Sequence, residues 1–488
     1  MQIVFAASEC APWARTGGLG EVVRALPRQL ASMGHKVAVY VPYYRQVREQ
    51  AAETHSEKRY AIRSITIPFQ YYSRFAAVLD GGVHDGVQMY FVDCPELFDR
   101  EALYGTASGE YQDNWERYGL FCRAVLEATK QLGVPDLFHA HDWQTALLPV
   151  YLRTLYYYDP VLRNRGAVLT IHNAGYQGRY PAATVERLLF PWDIYTPERA
   201  EHFGQFNFLK GGIVYADRLT TVSPRYAEEI QTPEFGQTLD SLLRKRAGDL
   251  TGILNGVDYH QWNPSNDGNI AAHYTPENLA GKAECRRDLL HAFGAGHVDE
   301  STAVLGMVTR LTTQKGIDMI DQIAEPLMRE NVALVALGNG EEYYENLLRS
   351  LAAKFSGRIM VRIGYDPTLA HKVEAGSDMF LMPSKYEPCG LGQIYALKYG
   401  TVPVVRATGG LDSTVEEWNP ETRTGTGFKF RGYEPSDFLG AIQRALGVFL
   451  DKAAWQTLMR NGMAQDHSWA GPAAEYVEVY EQVARGRS

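Results

Sequence analysis

Two glycine-rich turns that each follow a predicted strand carry the residues best suited to chemistry. Glu387 stands just after the strand predicted at 378–382, and the turn then opens a helix with Cys389, Gly390, Leu391 and Gly392. Backbone N–H groups and the positive dipole end of a helix start favour an anionic ligand. The next strand, 402–406, ends in Gly409-Gly410, so two strand ends aim at one crevice. An ordinary βαβ unit with capping glycines and a solvated acid would give the same pattern, so other residues must decide.

Three cations occupy comparable strand–helix loops and would suit a diphosphate. Arg310 ends the strand predicted at 303–310, Lys315 follows it, and Arg15 precedes the glycine turn 16–20. A guanidinium fork and a flexible ammonium bind phosphate oxygens well, although solvated surface cations look the same in a sequence.

The glycines at 17, 18 and 20 do not form GxGxxG, and the second strand does not end in an acid. A nicotinamide-dependent dehydrogenase is therefore disfavoured.

Histidines and an acid stand at the ends of two further predicted strands. His139 and His141 alternate along one strand, which places both on one side and raises the possibility of a metal-dependent hydrolase. No supporting ligands occur at a suitable spacing, so this alternative is the weaker one. Asp142 at the same strand end is better suited to sugar hydroxyls. His172 ends the strand 167–172 and is either a satisfied strand-end residue or a group beside the reacting atoms.

The composition indicates a water-soluble enzyme with ordinary cores. Hydrophobic residues make up 45% and charged residues 22% of the 488 positions, and the formal net charge is −9. A nucleic-acid partner is disfavoured because phosphate neutralisation requires a basic face. Five scattered cysteines without CxxC spacing indicate a reducing compartment. No apolar run or leader predicts a membrane partner, so we expect a cytoplasmic protein, or one of a plastid stroma if a transit peptide has been removed.

Strands and helices alternate in two series, which predicts an α/β fold with parallel sheets. Hairpin-like segments at 63–92 interrupt the first series, and the second series begins near 303. We predict two doubly wound, Rossmann-like domains that face each other across a cleft. Their predicted limits are 1–248 for an acceptor-side domain and 249–471 for a nucleotide-sugar domain. The final helix, 472–488, is compatible with either domain. Three helices of the first series are predicted at 18–33, 145–157 and 206–217.

The chain resembles bacterial glycogen synthases and plant starch synthases, which are retaining glycosyltransferases of the GT-B fold, over essentially its full length. The matching segments include RTGGLGEVVRALP, HAHDWQTALLP, LTIHNAGYQG, TRLTTQKGID, PSKYEPCGLGQIYALKYG and VRATGGLDSTV. The resemblance implies transfer of glucose from ADP-glucose to the nonreducing 4-hydroxyl of an α-1,4-glucan, with retention and without a metal ion or other cofactor. The charge arrangement agrees, since clustered cations and a helix start stabilise a departing diphosphate.

The resemblance also implies roles for individual residues. Glu387, His172, Arg310, Lys315, Arg15 and Asp142 correspond to the catalytic group. The donor-binding positions are Gly18, Asn255, Tyr365, Cys389, Gly390, Leu391 and Gly392, with Tyr365 against the adenine. Glu9 and Trp143 correspond to acceptor contacts.

Three positions depart from the family pattern. Arg15 stands where lysine is usual, Gln144 where histidine is usual, and Gly392 where bacterial members commonly have threonine. These departures bear on donor preference and rate rather than on the reaction class. Two alternatives therefore remain at this stage, namely a related transferase that uses UDP-glucose and a catalytically silent glucan-binding protein.

Overall fold

The computed structural model describes residues 1–53, 59–106 and 109–486 of the 488. Positions 487 and 488 of the predicted final helix lie outside this described part. Contacts divide the chain into two compact units. Unit 1 comprises Met1–Val222, Ala227–Gly256 and Trp469–Ser488, and unit 2 comprises Ser223–Tyr226 and Val257–Ser468. The predicted limits 1–248 and 249–471 stay a prediction.

Unit 1 contains a nine-stranded sheet in the order β14-β13-β9-β8-β1-β2-β5-β4-β3. Its strands and those of two small sheets are β1 (Gln2–Ala6), β2 (Lys36–Pro42), β3 (Tyr60–Pro68), β4 (Ser73–His84), β5 (Val87–Asp93), β6 (Gly105–Thr106), β7 (Gly109–Glu110), β8 (Leu137–His141), β9 (Gly166–Ile171), β10 (Arg179–Pro181), β11 (Glu201–His202), β12 (Gln205–Asn207), β13 (Arg218–Thr221) and β14 (Leu250–Gly252). Seven adjacent strands pair in parallel, and β4 and β3 add an antiparallel edge. The hairpins predicted at 63–92 are confirmed.

The helices of the first 245 residues are α1 (Gly18–Ser32), α2 (Arg45–Glu53), α3 (Pro95–Phe98), α4 (Asn114–Leu132), α5 (Asp142–Thr145), α6 (Leu147–Arg153), α7 (Thr184–Arg187), α8 (Phe208–Tyr215), α9 (Pro224–Glu229) and α10 (Asp240–Lys245). The single helix predicted at 145–157 is wrong. Two short helices replace it because Pro149 has no N–H to bond to the preceding turn, and the helix ends at Arg153. The helix predicted at 206–217 begins two residues later, where the Asn207 side chain caps it by accepting from Lys210 N at 2.9 Å.

Unit 2 contains a six-stranded sheet in the order β17-β16-β15-β18-β19-β20, with all neighbours parallel. Its strands are β15 (Ala303–Val308), β16 (Val332–Gly338), β17 (Ile359–Ile363), β18 (Met379–Met382), β19 (Val402–Arg406) and β20 (Phe428–Phe430). Its helices are α11 (Ala280–Ala292), α12 (Ile317–Leu327), α13 (Glu342–Lys354), α14 (Pro367–Gly376), α15 (Gly392–Lys398), α16 (Gly409–Thr414), α17 (Pro435–Phe449) and α18 (Lys452–Met463).

Helices cover both faces of the unit 2 sheet. Alternate residues of β15 belong to different cores, since Leu305 packs with α12 and α17, whereas Val304 packs with α11 and α14. β16 is buried at every position, as expected for a strand covered on both sides. This arrangement confirms the predicted doubly wound α/β class.

The final helix, α19 (Ala470–Arg485), belongs to unit 1, where it contacts α1, β8 and β9. Its buried side chains Tyr476 and Tyr480 face the sheet.

Among the described residues, no helix is both long and apolar enough to cross a bilayer. All five cysteine thiols are free and buried, and burial raises the pKa of Cys10, Cys94 and Cys122.

The contact between α11 and α14 generates a prediction about unit 2. A Cβ on Gly376 would approach Cys285 O and Leu289 Cβ to 2.6 Å, so Gly376→Ala should destabilise unit 2 by about 1–3 kcal/mol. Gly440, inside α17, has open space at its Cβ position, and Gly440→Ala should stabilise by about 0.5–1 kcal/mol. Thermal unfolding midpoints of the two variants should therefore move in opposite directions. An equal rise in both midpoints would contradict the close packing.

Candidate functional site

The centre of the candidate site in unit 2 is an ion pair between two strand–helix loops. Lys315 Nζ lies 2.5 Å from Glu387 Oε2, and the side chains are 15% and 7% exposed. Ser384 Oγ donates to the same carboxylate oxygen at 3.0 Å. Two hydrogen bonds of Gln314 join the same two loops: its carbonyl oxygen accepts from Lys385 N at 2.8 Å, and its Nε2 donates to Tyr386 O at 3.2 Å. The acid is therefore held in one place, at the carboxyl end of the sheet, and both of its side-chain contacts within the described part of the chain are made by Oε2.

Glycines bring a third loop onto the one that carries Glu387. A Cβ on Gly409 would overlap Glu387 O, and one on Gly410 would overlap Cys389 O. Gly409 also has φ +46°, which disfavours a side chain. Gly410 N donates to Glu387 O at 3.0 Å. The loops that follow β18 and β19 are therefore in direct contact, and the crevice predicted at these strand ends stays a prediction.

Gln393 is a supporting residue that the sequence did not reveal. Its buried amide Nε2 lies within 3.1 Å of Cys389 O, Gly390 O and Thr414 Oγ1. It therefore fixes the turn before α15, in which Gly390 has φ +69° and Leu391 forms the N-cap. The only sequence signal is its place in the first turn of a helix that follows a glycine turn. Ser384 gave no signal beyond its proximity to Glu387.

The remaining predicted donor positions of unit 2 lie on neighbouring strand ends. Arg310 follows β15 and is exposed, and Tyr365 follows β17 and is 68% exposed. Gly392 is the first residue of α15, and a Cβ there would come within 3.1 Å of the Phe380 ring. A side chain at this position would thus press on the strand beneath it. Cys389, in the turn itself, is 6% exposed.

In unit 1, Glu9 anchors the glycine turn that precedes α1. Its carboxylate accepts from Thr16 N at 2.6 Å, Thr16 Oγ1 at 2.7 Å and Tyr104 OH at 2.6 Å. The turn continues into Gly18, which begins α1, and Arg15 bonds to Glu21 across it. Glu9 is thus committed to contacts within unit 1, and these contacts determine where the Arg15 backbone lies.

Asp142 links the ends of β8 and β9 through its carboxylate. Its Oδ1 accepts from His172 N at 2.7 Å and from Asn173 N at 3.4 Å, and its own φ is +55°. Burial raises the pKa of Asp142 to about 7 despite these backbone donors. The carboxyl group therefore changes charge near neutral pH, beside the backbone of His172.

The two alternating histidines lie on one side of β8, as predicted, with ring centroids 4.2 Å apart. His139 is fully buried, and its nitrogens contact Thr170 Oγ1 at 2.6 Å and Tyr480 OH at 2.8 Å. Both nitrogens are thus occupied by hydroxyl groups rather than aimed at a metal. No group of three possible His, Cys, Asp or Glu ligands occurs within the described ranges. The hydrogen bonds of these ring nitrogens therefore give no support to the alternative of a metal-dependent hydrolase.

Two further predicted positions are buried. Trp143 is 3% exposed and packs edge-on against Tyr118, next to Tyr180 and Phe208, which favours a packing role. Asn255 follows β14 and is 5% exposed, and its Oδ1 has no hydrogen-bond partner among the residues that the structure describes. Buried amide oxygens normally have partners, so this one is available to a ligand. Of the predicted site residues in unit 1, Asp142 and His172 are in direct contact, through the hydrogen bond from His172 N to Asp142 Oδ1.

Comparisons with known proteins found related sequences and a related structure over nearly the whole chain. A family model described as starch synthase catalytic domain matches residues 2–245, and one described as glycosyl transferases group 1 matches residues 293–447. The chain is 54% identical over 488 residues to a glycogen synthase of Koribacter versatilis, covering 100% of the chain and 99% of the relative. It is 44% identical over 486 residues to one of Anaeromyxobacter dehalogenans, covering 99% and 100%. The solved catalytic domain of starch synthase IV from Arabidopsis thaliana, bound to ADP and acarbose, superposes with a TM-score of 0.89 at 30% identity, covering 99% of each chain.

The raised pKa of Asp142 predicts a pH-dependent stability difference. The pKa of Asp142 is about 7 in the folded protein, compared with an ordinary value of 3.8. The folded state therefore binds the proton more tightly than the unfolded state. This contribution to the free energy of unfolding is complete below about pH 4 and is lost as the pH rises through 7. Asp142→Asn keeps the Oδ1 acceptor, tolerates positive φ and cannot ionise. The thermal midpoint of this variant relative to the parent should therefore rise by at least about 2–4 °C between pH 4.5 and pH 7.5.

Asp159 provides a matched control, because its Oδ1 also accepts from two successive backbone N–H groups, those of Val161 and Leu162. Burial opposes the shift, but hydrogen bonds from Lys130 and the backbone hold the pKa of Asp159 below its ordinary value. Asp159→Asn should therefore lose stability relative to the parent as pH rises. If the thermal midpoints of both variants, relative to the parent, changed with pH in the same direction, the pKa of Asp142 would not be raised.

Proposed function

The chain belongs to the glycogen and starch synthase family of glycosyltransferases, and we propose that it transfers glucose from ADP-glucose to the nonreducing-end 4-hydroxyl of an α-1,4-glucan with retention of configuration. Family membership supports a nucleotide-sugar donor and a glucan acceptor. ADP as the nucleotide is proposed because the structural relative from Arabidopsis is bound to ADP. We also propose a cytoplasmic location, which suits five free thiols.

The observation that carries the proposal is the Lys315–Glu387 pair beside the glycine turn of α15. One carboxylate oxygen of Glu387 is used by Lys315 and Ser384, so the other can accept from glucose hydroxyls. Lys315 and Arg310 supply positive charge for the diphosphate, and the turn from Cys389 to Gly392 brings backbone N–H groups close. Tyr365 is proposed to lie against the adenine, for which its exposed ring is suited.

The proposed roles in unit 1 follow from which groups are still available. His172 and Asp142 are proposed to face the reacting glucose, and Asn255 to contact the donor through its unpartnered Oδ1. Arg15 is proposed to add positive charge from a loop that Glu9 holds in place. Glu9 is thus proposed to support this loop, and its contact with the acceptor, which the resemblance implies, stays a prediction. The burial of Trp143 makes it a support for the Asp142 segment rather than a glucan platform.

The proposed mechanism is attack on the same face as the departing group. The bond between glucose C1 and the diphosphate oxygen breaks, and its electron pair leaves with ADP. Arg310 and Lys315 stabilise the negative charge that develops there, while positive charge develops on the sugar. The acceptor O4 bonds to C1 from the same side, and its proton passes to the departing phosphate oxygen. Neither a covalent intermediate nor a metal ion is required by this sequence of bond changes.

Donor selection is tested by incubating the protein with glycogen and labelled ADP-glucose or UDP-glucose. We expect incorporation from ADP-glucose at least about tenfold faster, competition by ADP, and no loss of rate on adding a chelator. Incorporation from UDP-glucose alone would overturn the proposed donor. Loss of activity with chelator would return the metal-dependent alternative to consideration.

The role of Glu387 is tested by Glu387→Gln. The neutral amide loses the charged hydrogen bonds to glucose and leaves Lys315 without its partner, so kcat/KM should fall by roughly 10²-fold. Glu325→Gln is the matched control, because Glu325 forms a 2.6 Å pair with Lys354 that is exposed. This variant should retain the parental rate. If Glu387→Gln elongated glucan at the parental rate while glucan binding persisted, Glu387 would have no part in the transfer.

A further inference from the structure

A nitrogen–nitrogen contact joins the second buried histidine of β8 to the histidine after β9. His141 Nδ1 lies 3.0 Å from His172 Nε2, a hydrogen-bond distance. A hydrogen bond between two ring nitrogens requires one to carry the proton and the other a lone pair. The direction of this bond therefore determines the tautomer of both rings when both are neutral.

The surroundings of His141 distinguish the two directions. Its other nitrogen, Nε2, is buried and has no hydrogen-bond partner among the described residues. If His172 donated, the proton of His141 would sit on Nε2 as a buried, unpaired N–H group. If His141 donates from Nδ1, Nε2 carries only a lone pair. An unpaired buried donor is the rarer arrangement in proteins, so the second direction is favoured.

We propose that His141 is a positioning residue that donates from Nδ1 to His172 Nε2 and thereby fixes His172 as the tautomer with its proton on Nδ1. His172 Nδ1 makes no hydrogen bond to any residue in the described part of the chain, so this N–H group is available to a sugar hydroxyl oxygen. The use of that group in transfer rests on the proposed function, whereas the tautomer itself does not.

The packing around His141 keeps its ring in the required orientation. Phe5 stacks on it at 5.5 Å with an interplanar angle of 19°, and His139 lies against it at 4.2 Å. The Thr145 hydroxyl accepts from His141 N at 2.6 Å and donates to His141 O at 2.8 Å. His139 is in turn held by Thr170 and Tyr480.

Charge is also consistent with a neutral pair. Burial lowers the pKa of His172 to about 3, and burial together with the neighbouring histidines keeps the pKa of His141 well below its usual range. Neither ring should carry a second proton at neutral pH, so each has one N–H group and one lone pair.

The test reads the tautomer directly from ¹⁵N chemical shifts of histidine side chains in the intact, substrate-free protein. His172 signals are assigned by their absence from His172→Gln. We expect a protonated Nδ1 and an unprotonated Nε2 in the parent at pH 7.5. A protonated Nε2 would overturn the proposal, whatever the transferase assays show.

Two variants of His141 separate donation from packing. His141→Leu removes the donor and should shift His172 toward protonation at Nε2, whereas His141→Asn places an amide N–H near the position of Nδ1 and should preserve the parental tautomer. His139→Leu is the matched control, because His139 is equally buried in the same layer and makes no hydrogen bond to His172. An unchanged tautomer in His141→Leu would overturn the proposal.

Kinetics provide a second readout. His141→Leu should lower kcat by roughly tenfold with little change in KM, and His141→Asn should recover most of the loss. If the parent shows the expected tautomer but transfers no glucose, the tautomer assignment stands and the proposed function fails. If His141→Asn and His141→Leu lose activity equally while both fold, donation by His141 has no role in transfer.

Discussion

The ion pair between Lys315 and Glu387 is the contact on which the candidate site of unit 2 depends, because it connects loops that follow β15 and β18. Alone, each loop would present a charge to solvent with little preference for one geometry. Joined by the pair and by the bonds from Gln314, they form one surface. The Gly409-Gly410 turn of β19 then approaches so closely that no side chain fits. Three strand ends are thereby fixed relative to each other without any ligand.

In unit 1, hydrogen bonds of buried polar groups hold the predicted site residues, whereas in unit 2 a mostly buried charge pair does so. Asp142 crosses from β8 to β9 and holds the backbone of His172, and His141 contacts the ring of His172 from the side. The Glu9 carboxylate similarly holds the turn after Arg15 by accepting hydrogen bonds from Thr16. In each case a group for which we propose a ligand contact is held by a second group that is removed from solvent. Burying such second groups costs free energy, which the hydrogen bonds of Asp142 and Glu9 partly offset, whereas His141 Nε2 has no partner among the described residues.

Local patterns in the sequence were sufficient for the parts of the fold that depend on neighbours along the chain. Strand–helix alternation, the antiparallel segment and the glycine turns were all predicted, because each is encoded within a few residues. The contacts Tyr104–Glu9 and Tyr480–His139 join residues 95 and 341 positions apart, and no periodicity reports them. The sequence did not predict the role of Gln393 either, because a glutamine in the first turn of a helix is common and its bond to Thr414 joins residues 21 positions apart. The resemblance implies an acceptor contact for Trp143, and this stays a prediction, whereas only the packing reveals that 3% of this residue is exposed.

The burial of every cysteine has a practical consequence for experiments on conformational change. Thiolates rather than thiols react with maleimides, and burial both shields these five sulfurs and disfavours the thiolate of Cys10, Cys94 and Cys122. A single cysteine introduced on the surface of either unit would react well ahead of the native ones. Fluorophores could thus be attached at chosen positions in the otherwise unaltered chain, without a cysteine-free background whose cores would first have to be repacked.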